Sequence, residues 1–202
     1  YTEFNYQREE ESRRSEKSRR HEHEESGGET DTTIRSGDEQ EDGFVSIEQS
    51  RHRWGSGRVR ITKVVLSDLL GGEQTLFHNG DSMMVQLHYE TSELIERPIF
   101  GMAIYHHKGT HLCGPNTKFG GLDIVSIQGV GVISYSIPSL PLLPGDYLIS
   151  VAVINHNDTE TFDFHDRTIP LTIAPGVSHE QYGLFALNGQ WQHGDVQNML
   201  AA

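Results

Sequence analysis

Hydrophobic residues along this chain recur with a period of two from Trp54 onward, and before Trp54 they hardly recur at all. Val59, Ile61 and the run 64–66 predict a first strand, followed by a turn or loop at 68–73. The turn signal His78-Asn79-Gly80-Asp81 precedes a second alternation over 83–89. There Val85, Leu87 and Tyr89 share one face and Met84, Gln86 and His88 the other. Phe100, Met102 and Ile104 alternate with Gly101, Ala103 and Tyr105, and Lys108-Gly109 turns the chain toward 111–114. A short strand is predicted at 124–127 and a longer one at 132–137. Tyr147, Ile149, Val151 and Val153 then alternate with Leu148, Ser150, Ala152 and Ile154, and segments 168–173 and 183–187 close the pattern. Short strands divided by Gly, Pro and Asn turns, without a 3.6-residue period, predict an all-β antiparallel sandwich of immunoglobulin-like or jelly-roll-like form. In LPLLPGDYLISVAV, Tyr147 occupies the place of a corner tyrosine whose hydroxyl ties the chain to nearby backbone; ordinary core packing is the other reading.

Composition separates an arm from this domain. Residues 1–53 carry 15 acidic and nine basic side chains, no proline, and after Tyr6 a single aromatic, Phe44. Such a stretch buries too little apolar surface to offset the entropy of ordering it, so 1–53 reads as a solvated tether and 54–202 as the domain. Part of the tether has helical potential, because Glu9 and Glu10 stand four residues before Arg13 and Arg14. The opening YTEFNYQ resembles the end of a preceding folded element. The net charge is −13, and from residue 54 on seven cations face 14 carboxylates, which argues against a nucleic-acid surface. No apolar run reaches the ~18 residues of a membrane helix, and Cys113 has no partner for an intrachain disulfide.

Reactive constellations are sparse. His106, His107 and His111 straddle a predicted turn, but no Cys pair or His-Glu-x-x-His accompanies them, so no metal is expected. Gly-x-Ser-x-Gly is absent, and neither Gly71-Gly72 nor Gly120-Gly121 leads into Lys-Ser/Thr, so no nucleotide or other cofactor is expected. Asp146, Asp158, Asp163 and Asp166 contain a possible hydrolytic pair only if geometry assembles one. The reading is a binding domain, not an enzyme.

A face without bulk carries the binding expectation. With Phe100, Met102 and Ile104 inward, Gly101, Ala103, Tyr105 and His107 lie opposite; with Tyr147, Ile149 and Val151 inward, Leu148, Ser150, Ala152 and Ile154 lie opposite, leading to His156. Small residues flanked by Tyr and His form a shallow trough suited to a sugar, or a surface for close packing of another sheet or subunit. Gln86 and His88 extend the trough if their strand is adjacent. The candidate sugar-binding residues are therefore Gln86, His88, Tyr105, His107, Ser150 and His156, with Asn116 and Asn155 as loop donors.

RWGSGRVRITKVVLSD, NGDSMMVQLHYE, IFGMAIYHHKGTHLCGPNT, IPSLPLLPGDYLISVAV and GLFALNGQW, in this order, resemble the C-terminal domain of Wzt-type ABC transporter subunits. The resemblance spans residues 53–191. It implies a cytoplasmic immunoglobulin-like sandwich, joined by the tether to a nucleotide-binding motor at the inner membrane and through that motor to the membrane-spanning subunit. It further implies recognition of the modified non-reducing end of an O-antigen polysaccharide, coupling chain completion to export. A homodimer formed by exchange of a C-terminal strand, within 168–187 here, is implied as well. An assembly module without glycan binding is the alternative.

Overall fold

A computed structural model describes residues 52–193 of the chain. The expected tether and its helical segment lie outside the described residues, except for His52 and Arg53. Nine strands run in chain order: β1 Arg53–Trp54, β2 Arg60–Ser67, β3 Leu76–His78, β4 Met83–Glu96, β5 Ile99–His106, β6 His111–Cys113, β7 Ser126–Ile137, β8 Gly145–Ile154 and β9 Thr161–Ala174. They form two sheets. The larger has the order β1-β9-β8-β5-β6 with β3 added to β9, and the smaller the order β2-β4-β7.

The period-two pattern decides what the sheets bury. Phe100, Met102 and Ile104 of β5 and Tyr147, Ile149, Val151 and Val153 of β8 are all at most 5% exposed. Val85 and Leu87 of β4 and Ile61 of β2 are buried in the same core. Each such side chain contributes about 1.5–3 kcal/mol by leaving water, which makes these alternations the main source of stability. The corner reading of Tyr147 holds: its hydroxyl donates to the Leu143 carbonyl at 2.7 Å, and burial raises its pKa above the ordinary tyrosine range.

Some elements differ from the sequence expectation. β4 continues past Tyr89 to Glu96, through the polar run Glu90-Thr91-Ser92-Glu93, because Ile95 beyond it is buried and pairs with Ile127 of β7. β7 starts at Ser126, which joins two expected strands into one. β3 was not expected; it pairs parallel to β9, the one exception to antiparallel pairing among the described strands, and seats Phe77 in the core. The 183–187 segment is no strand, with only a bridge between Leu142 and Phe185. Residues 168–174 lie in β9, paired with β8 on one edge and, at 172–174, with β3 on the other.

β9 is the largest departure. Its first half, TFDFHDR, looks like a polar loop, yet it is a strand paired on both edges, with β8 and β1. A register irregularity beside Ile154 leaves Phe162 and Asp163 both buried and turns Phe164 to the opposite face, paired with Ala152. The buried carboxylate is satisfied: Asp163 accepts from Arg53 at 2.7 and 3.0 Å and from the Ile61 amide at 2.7 Å, with His165 at 3.3 Å. Burial alone would raise its pKa; the contacts with His165, Arg53 and Ile61 outweigh burial and hold it at about 2.

Candidate functional site

The face of the larger sheet turned away from the core carries a continuous row of paired residues. Ala152 of β8 is opposite Gly101 of β5 on one side and Phe164 of β9 on the other; Phe164 is opposite Trp54, and Gly101 bridges to Asn116. Residues paired across a sheet point the same way, so the row reads Trp54, Phe164, Ala152, Gly101, Asn116 across five segments. The rings of Trp54 and Phe164 stack at 4.2 Å with an interplanar angle of 17°. They stand beside Ala152 and Gly101, small residues that are themselves buried. One step along the strands, Ser150 pairs with Ala103, and one step further Leu148 pairs with Tyr105.

Further along the same face lies a second irregularity in β9. Arg167 has φ of +52°, and its register break falls opposite Ser150. The Ser150 hydroxyl accepts from the Arg167 amide at 2.8 Å and donates to Asp166 at 3.2 Å, locking the bulge. Arg167 pairs with Asp166 at 2.8 Å and lies 5.6 Å from the centroid of the Tyr105 ring, which has His111 at 4.9 Å. Small residues, stacked rings and an Arg-Asp pair beside a tyrosine are thus gathered on one face.

The expected residues distribute unevenly over this geometry. Tyr105 and Ser150 belong to it, though both are buried, so they support the surface more than they rim it. Asn116 closes the row, but its side-chain oxygen accepts from the Phe119 amide at 2.9 Å and organises a loop. Asn155 lies past the end of β8 and is occupied by its own turn, accepting from the Thr159 and Glu160 amides. His107 sits beyond β5 on the hairpin turn, with its ring 4.1 Å from that of His106. His156 falls in a separate cleft at the end of the sandwich. Gln86 and His88 do not extend the trough, because β4 belongs to the other sheet, where they pair with Ser134 and Val132 of β7.

Trp54, Phe164 and Arg167 were not anticipated, and Asp166 was weighed only as a member of a possible hydrolytic pair. The signal for Phe164 was its two-residue spacing from Phe162, but spacing alone puts both rings on one face, and the bulge separates them. Among the described residues no group of three or more His, Cys, Asp or Glu is placed to hold a metal ion. His106, His107 and His111 therefore do not converge as a metal site. Of the aspartates, Asp163 and Asp166 are engaged by arginines and Asp146 accepts from the Thr172 hydroxyl at 3.0 Å. No helix among the described residues is long and apolar enough to cross a membrane.

Comparison with known proteins accords with this architecture. A search of curated proteins gives no match. A solved structure described as the C-terminal domain of wzt superposes with a TM-score of 0.63 at 20% identity, covering 70% of this chain and 87% of that one. At that identity the likeness speaks for the sandwich fold. The family model described as the Wzt C-terminal domain matches residues 50–187, most of the chain and nearly all of the described part. The chain therefore belongs to the Wzt C-terminal domain family, whose role is in an O-antigen export transporter.

Proposed function

We propose that this domain binds the modified non-reducing end of an O-antigen polysaccharide, so that a completed chain is passed to the export machinery. The observation that carries the reading is the row Trp54, Phe164, Ala152, Gly101: a stacked aromatic pair beside small residues. A pyranose presents an apolar C–H face that packs on an aromatic ring, while its hydroxyls need donors and acceptors at the edge. Asp166 and Arg167 supply both further along the same face. On this reading the domain holds a glycan without cleaving it, at the cytoplasmic face of the inner membrane beside the transporter's motor and membrane-spanning subunits. A calorimetric titration with O-polysaccharide from the source organism tests it. Wild-type protein binds, and Trp54→Ala weakens binding about tenfold or more, the loss of one aromatic contact. Binding unchanged in Trp54→Ala refutes the trough.

A second reading, an assembly module, is favoured by β7. This 12-residue strand pairs only with β4 among the described strands and exposes Val130 and Val132. Such an edge is a template for another chain. The two readings are compatible in a homodimer. Segment exchange would involve 175–187, since 168–174 is already paired within β9. Light scattering that finds a dimer with no affinity for the polysaccharide supports assembly alone.

A further inference from the structure

Asn-Gly occurs twice in the sequence, at 79–80 and 188–189. The dipeptide carries a latent reaction, because glycine puts no side chain in the way of its own amide nitrogen. That nitrogen, deprotonated by hydroxide, attacks the carboxamide carbon of the preceding asparagine when the two meet. A C–N bond closes a succinimide ring, the bond to the side-chain nitrogen breaks, and ammonia leaves. Water then opens either ring carbonyl, giving aspartate or isoaspartate. The balance is water in and ammonia out, with no oxidant or reductant. Whether the reaction runs depends on how firmly the fold holds the two groups apart.

Asn79 is held on every side. It is 2% exposed, its Nδ2 donates to the Leu142 carbonyl at 2.8 Å, and its Oδ1 accepts from the Ser178 amide at 3.0 Å. The Gly80 amide, the nitrogen that would attack, is committed to the Leu140 carbonyl at 2.9 Å. The Asn79 amide donates to the Ala174 carbonyl and its carbonyl accepts from the Val177 amide, each at 3.0 Å. Asn188 stands at the other extreme. Its φ is +53°, and both it and Gly189 are exposed. The chain leading to it is anchored. The Ala186 amide donates to the Pro141 carbonyl at 2.7 Å, and the Glu180 carboxylate accepts from the Leu187 amide at 3.0 Å and the Asn188 amide at 2.6 Å. Past that amide the anchoring stops. A Cβ added at Gly189 meets nothing within 4 Å, and residues 189–193 are all exposed. Rotation about the Asn188 Cα–C bond brings the Gly189 nitrogen to the carboxamide. It moves exposed residues and breaks no hydrogen bond among the described residues.

We propose that Asn188 is a site of spontaneous deamidation, converted through a succinimide to aspartate and isoaspartate, while Asn79 in the same fold is inert. The product carries a new carboxylate on the residue whose amide Glu180 holds, and isoaspartate also lengthens the backbone there by a methylene. Like charges so placed repel, so conversion loosens the hold of Glu180 on Leu187 and on residue 188.

The test ages the full chain in mildly alkaline buffer made with heavy-oxygen water, followed by digestion and peptide mapping by mass spectrometry. The peptide holding Asn188 is expected to take up the heavy oxygen and to yield both products. It does so about tenfold or more faster than the peptide holding Asn79, which must first leave its buried hydrogen bonds. Aged in urea, where neither site is protected, the two convert at similar rates. Gly189→Ala, whose methyl meets open space, leaves folding unchanged and slows conversion at 188 several-fold. In Asn188→Asp the Leu187 amide exchanges with solvent faster than in the wild type, and the Ala186 amide exchanges as before. Asn79 converting as fast as Asn188 in the folded chain overturns the proposal, as does an Asn188 that stays intact. Aspartate formed without isoaspartate, or conversion indifferent to Gly189→Ala, overturns the succinimide route. Unchanged Leu187 exchange in Asn188→Asp removes the loosening of the Glu180 contact and leaves the modification site standing.

Discussion

At the scale of single residues, this domain uses polar groups to hold shape where its sequence suggested ligand contacts. Ser150 and Asn155 are spent on a bulge and a turn. Asp163 does the most. It sits 4% exposed where β9 faces β2, joined to Arg53, to His165 and to the Ile61 amide. Its folded pKa, about 2, lies below the ordinary 3.8, so ionised Asp163 stabilises the fold at all pH values above the ordinary one. That stabilisation, roughly 2 kcal/mol, disappears as pH falls from about 4 to about 2. Urea midpoints measured across this window should fall for the wild type and, with other carboxylates common to both, fall less steeply for Asp163→Asn. Equal slopes in the two proteins contradict the assignment. The structural role of Asp163 was not legible, because a lone buried carboxylate is prohibitive and no pattern in TFDFHDR shows that Arg53, 110 positions earlier, compensates it.

At the scale of elements, the strands that follow strict alternation were legible and the irregular ones were not. The cores of β5 and β8 were read correctly because each has one face of large apolar side chains and neither has a bulge within that stretch. The corner at Tyr147 was legible for the same local reason: Pro-Gly before an alternating strand fixes the approach. β9 was half missed, since its bulges shift the face of every residue beyond them and a one-residue slip is invisible in composition. The site inherits that blindness. Ala103 and Ser150 were found on their face, whereas Phe164 and Trp54 were not. β1, a mere two residues, is held in place by the three residues after it. Gly55 at φ +147° lies against the Phe162 carbonyl, and the Ser56 and Gly57 amides donate to β9 at 3.0 and 2.8 Å. A Cβ at Gly55 meets backbone that cannot yield. Gly55→Ala should therefore destabilise the protein by about 1–3 kcal/mol in urea unfolding, as forced overpacking does. It should also release the Trp54–Phe164 stack, read as a change in tryptophan fluorescence. A variant as stable as the wild type would show that β1 is dispensable.

At the scale of the whole molecule, the two sheets divide their labour. The smaller sheet covers the core and presents the long edge of β7, while the larger carries the face with Trp54, Phe164, Ala152 and Gly101. Placing Gln86 and His88 on the trough required β4 to neighbour β5 or β8, and strand order is the property that alternation least reveals. What a sandwich hides from its sequence is which strands share a sheet. On the proposed reading, function turns on which face of which sheet holds the glycan, and a single measurement decides it. Amide and indole NMR shifts recorded during titration of the domain with O-polysaccharide report this directly. Perturbations are predicted at the Trp54 indole and at Gly101, Ala103 and Ala152, with Gln86, His88, Val132 and Ser134 unmoved. Shifts confined to the smaller sheet, or none on either, would contradict glycan binding in the trough.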